Sequence, residues 1–186
     1  MKSLPPVICE IERGACLNIF KADKTTRIAK LCPGVPIVYP ALAGKDLFFF
    51  RLLGPGLCNL LYPWARALVF AEQHSLPILY PTWPQFKLGP YLRAESDKRN
   101  YSGIFCATER YITGYRGLYL RQFPSISEDQ ICIDCLDRMT SRCLIKFAGL
   151  GNYFQKLLNK HKFICDELLS ILSDTTRRSI LTSNFG

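Results

Sequence analysis

The segment Gly54-Pro55-Gly56-Leu57-Cys58-Asn59 sets two glycines and an asparagine directly ahead of an apolar helical pattern. A turn without bulky side chains lets the backbone approach an anion. The first amides of the following helix, with the positive end of its dipole, would then face that anion. The spacing is G-x-G-x-x-N. A dinucleotide fingerprint needs a third small residue where Asn59 stands and an acidic residue about 20 positions later. His74 lies near that distance and the next apolar run ends at Tyr80, so a nicotinamide dinucleotide is disfavoured. No G-x-x-x-x-G-K-[ST] stretch occurs. The residues therefore suit a diphosphate or sugar-hydroxyl site, with Gly54, Gly56, Leu57, Cys58 and Asn59 as its binding candidates and Arg66 as a source of charge. Asn59 as an ordinary N-cap, with glycines serving only the turn, accounts for the same residues without a ligand.

The other chemical side chains select less. Cys132, Cys135 and Cys143 form a C-x-x-C with one further thiol, short of the two spaced pairs of a zinc ribbon and with no histidine near. They read as strand and loop thiols. His161 falls on an apolar helical stripe and His74 at a helix end, both structural positions. Glu109, Asp134 and Asp137 could act as bases, and spacing singles out none of them. The catalytic residue stays unassigned.

Around the turn, "DLFFFRLL" (46–53) is a nearly continuous apolar run and predicts a buried strand of a parallel sheet. Leu61, Trp64, Ala65, Leu68 and Ala71 then recur at helical spacing, with Arg66 and Gln73 away from that stripe. Pro63 fits such a helix in its first turn. "LPILYP" predicts the next strand, so the block is a strand–turn–helix–strand unit with a crossover connection. Ile37 to Tyr39 predicts an edge strand, demoted by flanking prolines. Short strands are expected at 104–106, 118–120, 131–134 and 144–147. A long helix follows through Phe154, Leu157, Leu158, His161, Ile164, Leu168 and Leu172, and "RSIL" approaches a final strand. The fold class is α/β, a Rossmann-like parallel sheet flanked by helices, with residues 1–45 as an extension and 46–186 as the domain.

The chain has 186 residues, 48% hydrophobic and 21% charged, which describes a globular protein. No apolar run reaches the roughly 18 residues of a membrane span. The first residues lack the apolar stretch of a signal peptide. Nine cysteines without such a signal read as reduced cytoplasmic thiols. Lys and Arg number 24 against 15 Asp and Glu, which favours an anionic partner. The basic residues are scattered in short stretches, not gathered in a stripe, so nucleic acid is disfavoured. A nucleotide-sugar diphosphate and an anionic membrane face, met peripherally from the cytoplasm, both fit.

"GPGLCNLLYPWARALVFAEQHSLPI" resembles the glycine loop and first helix of the α-1,2-fucosyltransferases and their relatives with a GT-B fold. That family reads roughly G-G-[LF]-G-N-Q-[LM]-F-Q-[YW]-A-x-A. Gly56, Leu57, Asn59, Leu61, Tyr62, Trp64, Ala65 and Ala67 occupy matching positions, while Cys58 replaces a glycine and Leu60 a glutamine. The resemblance implies the N-terminal lobe of a GT-B fold and a nucleotide-sugar donor such as GDP-fucose. It also implies a glycan acceptor of surface-polysaccharide synthesis and no metal requirement. A His-x-Arg motif that grips the donor diphosphate follows the long helix in that family; none occurs before Gly186, so an N-terminal half is expected. The rival expectations are a non-catalytic glycan- or partner-binding module and an inactive remnant.

Overall fold

In the computed structural model the described residues are 35–131, 136, 143–151 and 154–183. Five strands form one sheet in the order β6-β4-β1-β8-β7. They are β1 (Ile37–Pro40), β4 (Ile78–Leu79), β6 (Tyr111–Ile112), β7 (Ser125–Ser127) and β8 (Leu144–Phe147). Each neighbouring pair is parallel. Helices cover both faces: α1 (Leu57–Gln73) and α4 (His161–Ile171) pack on one, and α3 (Gly114–Leu120) on the other. This is a Rossmann-like α/β fold.

The centre of the sheet is β1, the segment that its prolines marked as an edge. Every residue from Ile37 to Pro40 is buried. Val38 joins the core cluster under α1, while Ile37 and Tyr39 join the cluster under α3, as the two-residue alternation of a strand requires. The prolines are tolerated because of where they stand. Pro36 precedes the strand, and Pro40 is its last residue. Ile37 and Ala41 donate toward β8, to Cys143 and Phe147, while Val38 donates toward β4, to Pro77. The donor Pro40 lacks would also point toward β4, where pairing extends only to Val38 and Ile78. The sheet therefore draws its central strand from the region expected to be an extension.

The predicted strand over 46–53 does not enter this sheet. It splits into β2 (Lys45–Asp46) and β3 (Arg51–Leu52), which with β5 (Gln85–Phe86) make a small sheet in the order β2-β3-β5 at the carboxyl end of β1. Phe48, Phe49 and Phe50 form the β2–β3 turn and are exposed. Leu144 to Phe147 is a strand as expected, and Ile78–Leu79 lies within the expected "LPILYP". Leu118 to Leu120 instead ends α3, and "RSIL" lies in a last helix, α5 (Asp174–Ser183). At 104–106 there is only a bridge from Phe105 to Leu172. The expected strand at 131–134 falls outside the described residues beyond Ile131. The long helix starts at His161, later than its apolar stripe, and both His161 and Phe154 are exposed. Between β5 and β6 lies a short helix, α2 (Leu88–Leu92). Among the described residues no helix is long and apolar enough to cross a membrane.

Because Ile37 is 1% exposed in the central strand, Ile37→Ala is expected to lower unfolding free energy by about 2–5 kcal/mol in urea titrations. A loss under about 1 kcal/mol would mean that β1 is peripheral.

Candidate functional site

The glycine turn rests on a buried cation. Arg51 in β3 has 0% exposure. Its Nε donates to the Thr82 carbonyl at 2.6 Å and its Nη2 to the Trp83 carbonyl at 3.2 Å and Gln85 Oε1 at 3.3 Å. Nη1 donates to the Ala43 carbonyl. Burial lowers the proton affinity of this guanidinium, and the charge of Asp46 opposes that effect. One side chain thus ties the segments leaving β1 and β4 to the small sheet.

Gly54 lies against this cation. A Cβ there would stand 2.5 Å from Gln85 Oε1 and 3.0 Å from both the Ala43 oxygen and Arg51 Nη1. Only glycine fits. Gly56 differs: a Cβ there would meet nothing within 4 Å, and its φ of −66° suits any residue. Packing gives no reason for a glycine at 56.

Gly56, not Asn59, is the N-cap of α1, and no side chain caps this terminus. Asn59 stands in the first turn, exposed like Cys58, with its amide donating to the Gly56 carbonyl at 3.1 Å. Pro63 lies beyond that first turn. Its missing N–H is the one that would have bound the Asn59 carbonyl four residues earlier, so Asn59 has no i+4 donor in the helix.

The rim is basic. Lys87 Nζ donates to the Pro55 carbonyl at 3.0 Å. The proton affinity of Lys87 is lowered first by desolvation and then by the charges of Arg99 and Arg51. These cations oppose one another, and an anion placed among them would relieve that repulsion. Among the described residues no three His, Cys, Asp or Glu side chains converge on a metal site. The groups gathered here are helix amides and cations, which suit an anion.

Arg66 lies away from the apolar stripe of α1, where the sequence offers it as a charge for the phosphates. It is instead 2% exposed, with Nη2 at 2.8 Å from Glu128 Oε1 and Nε at 3.2 Å from both carboxylate oxygens. Nη2 also donates to the carbonyls of Ala148 at 2.9 Å and Gly149 at 3.1 Å. A Cβ on Gly151 would stand 2.7 Å from Arg66 Cζ. Its charge is answered by Glu128, and its role is to clamp the loop leaving β8 onto α1. The helical pattern placed Arg66 correctly off the Leu61–Ala71 stripe, but a second layer covers that side.

A second polar network, unmarked in the sequence, sits at the carboxyl ends of β1 and β4. Asp46 accepts from the Tyr39 hydroxyl at 2.5 Å, the Phe48 amide at 2.8 Å and Arg121 Nη1 at 3.1 Å. Thr82 Oγ1 lies 3.1 Å from both Asp46 oxygens. Arg121 also donates to Thr82 Oγ1 and the Tyr80 carbonyl, at 2.7 and 2.8 Å. Burial is the main reason that the Tyr39 phenol holds its proton well above the usual range. The Asp46 oxygens are taken up by these donors, so the network positions the β2–β3 turn. Its members come from four separate segments, and no motif could have announced them.

Other candidates lie apart. His74 caps the end of α1, as its sequence position suggested, with its ring 4.4 Å from that of Phe70. Glu109 is exposed. Cys143 is buried, and burial pushes its thiol up. Cys132, Cys135, Asp134 and Asp137 fall outside the described residues. Comparison of the chain with family models, curated proteins and solved structures gives no match.

Arg66→Met should destabilise the protein by about 3–5 kcal/mol, because it leaves the buried Glu128 carboxylate only the half-exposed Lys156 ammonium at 3.5 Å. Arg66→Met combined with Glu128→Leu should recover much of that loss in the same denaturation experiment. Additive losses would mean that the pair does not act as a unit.

Proposed function

We propose that this chain is a glycosyltransferase lobe, fucosyltransferase-like, that moves a sugar from a nucleotide-diphosphate donor such as GDP-fucose to a glycan acceptor hydroxyl in surface-polysaccharide synthesis. One observation carries the reading. Gly56 is the turn position that packing leaves free, and it stands before an uncapped helix N-terminus beside Lys87 and Arg99. A side chain at 56 would stand between an incoming diphosphate and the first amides of α1. The Rossmann-like sheet and the resemblance of residues 54–78 to the α-1,2-fucosyltransferases support the same reading, and GT-B is the architecture it implies.

In this reaction the acceptor oxygen bonds to the anomeric carbon as the bond to the diphosphate breaks. The departing phosphates need N–H donors and cations, and the hydroxyl proton needs a base. The amides of Leu57 and Cys58, the Asn59 side chain and Lys87 fill the first role. Asp46 does not fill the second, since its lone pairs are already engaged. Arg66 leaves the list of phosphate ligands for the same kind of reason.

In the full-length enzyme, Asn59→Ala is expected to lower GDP release from GDP-fucose in the presence of acceptor glycans by on the order of 100-fold, the scale of one lost transition-state donor. Gly56→Val should weaken GDP binding with only the small fall in melting midpoint of a poorer N-cap, whereas Gly54→Ala should lower the midpoint further because its Cβ would press on Gln85 and Arg51. Wild-type turnover by both Asn59→Ala and Gly56→Val would remove the turn from the mechanism. Glycan binding indifferent to GDP would instead favour a non-catalytic binding module.

A further inference from the structure

The small sheet has an outer face that the nucleotide site does not use. Arg51 and Gln85 are a buried pair in register, whereas Lys45, Leu52 and Phe86 form the adjacent row facing the other way. One pair further along, where the hairpin closes beyond Asp46 and Arg51, the β2–β3 turn presents Phe48, Phe49 and Phe50 at 48%, 73% and 42% exposure. Leu53, Leu88, Tyr91 and Leu92 are also exposed. The Leu53 amide bonds the Phe86 carbonyl at 3.1 Å, and the Phe86 and Tyr91 rings are 5.2 Å apart, which joins β3, β5 and α2 in one apolar surface. Soluble proteins rarely expose so many adjacent large apolar side chains without an interaction to make.

The backbone points the same way. Phe48 and Leu53, on either side of β3, have φ of +71° and +53°. Glycine or asparagine would hold those angles with less strain and would suit water better. The sequence places a phenylalanine and a leucine there despite both penalties.

Charge narrows the occupant. Lys45 stands in the row opposite Leu52, Lys87 directly follows Phe86, and Arg93, Lys98 and Arg99 follow α2 along the chain, against Glu95 and Asp97. Glu95 is shared by Arg93 and Arg99, and Lys98 lies over the Tyr91 ring at 5.2 Å. Aromatic rings settle at the headgroup level of a bilayer, and surrounding basic residues meet its anionic phosphates. Consecutive phenylalanines at a hairpin tip form an edge, not a groove, and an edge suits a fluid headgroup layer. We propose that the Phe48–Phe50 turn and α2 dock the protein peripherally on an anionic membrane surface. Leu53 directly precedes Gly54, so the docked protein holds its glycine turn beside the lipid. The docking stands independently of what that turn binds.

The test is sedimentation with phosphatidylcholine vesicles, with and without phosphatidylglycerol. The wild-type chain should partition to the anionic vesicles roughly tenfold or more above the neutral ones, and added salt should weaken the binding. F48S/F49S/F50S should abolish it, with circular dichroism confirming the fold. Phe49→Ser alone, at a position outside the left-handed angles, should reduce binding several-fold and decides the matter if the triple variant does not fold. Phe49→Trp should show a blue-shifted emission on anionic vesicles only. Equal or absent binding to the two vesicle types overturns the proposal, as does full binding by a folded serine variant. A blue shift that depends on protein concentration without lipid also overturns it, because the patch would then belong to a contact between two copies.

Discussion

A guanidinium removed from water organises the carboxyl edge of this sheet. Moving the Arg51 charge into the interior is unfavourable unless its donors are met. They are met by the carbonyls of Ala43, Thr82 and Trp83 and by the Gln85 amide oxygen. The segments carrying those acceptors are fixed relative to one another, and so is the glycine turn, because Gly54 packs on Arg51 and Gln85. The site is therefore a consequence of desolvation: the cation needs the loops, and the loops set where α1 begins.

The other anchor lies further along α1. Arg66 and Glu128 neutralise each other out of water, and the same guanidinium takes carbonyls from the loop after β8. Such a pair is weak evidence for net stability but strong evidence for geometry, since either partner left alone is strongly unfavourable. Between the two anchors the first turn of α1 has little internal satisfaction. Its amides lack a side-chain cap, and Pro63 removes the donor that the Asn59 carbonyl would have taken. The helix is rigidly held on its buried side and open at its end.

Much of this was legible in the sequence, and the failures have physical causes. The G-x-G-x-x-N block gave the turn, the helix and the strand after it, because glycine and helical periodicity report local backbone needs. Hydrophobicity failed at "DLFFFRLL", since an apolar run records an aversion to water and not what covers it. Ile37 to Tyr39 carried the right residue types, but Pro36 and Pro40 hid a central strand whose pairing tolerates a missing donor at its end. Gly114 and Gly117 concealed α3. A usable signal was missed at Ser173-Asp174: the Ser173 oxygen accepts the Thr176 amide at 3.3 Å, a helix-start pattern that opens α5. Arg66 and the Asp46–Arg121 network depend on long-range packing, which no spacing rule reaches.

Cys58 offers the most direct test that the turn receives a nucleotide diphosphate. It is exposed in the first turn of α1, while Cys106 and Cys165 are exposed elsewhere and Cys143 is buried. The measurement is the rate of iodoacetamide alkylation at each thiol, followed by mass spectrometry, with and without GDP. The account predicts that GDP slows Cys58 selectively and leaves Cys106 and Cys165 unchanged. Unchanged alkylation of Cys58 at saturating GDP would contradict it.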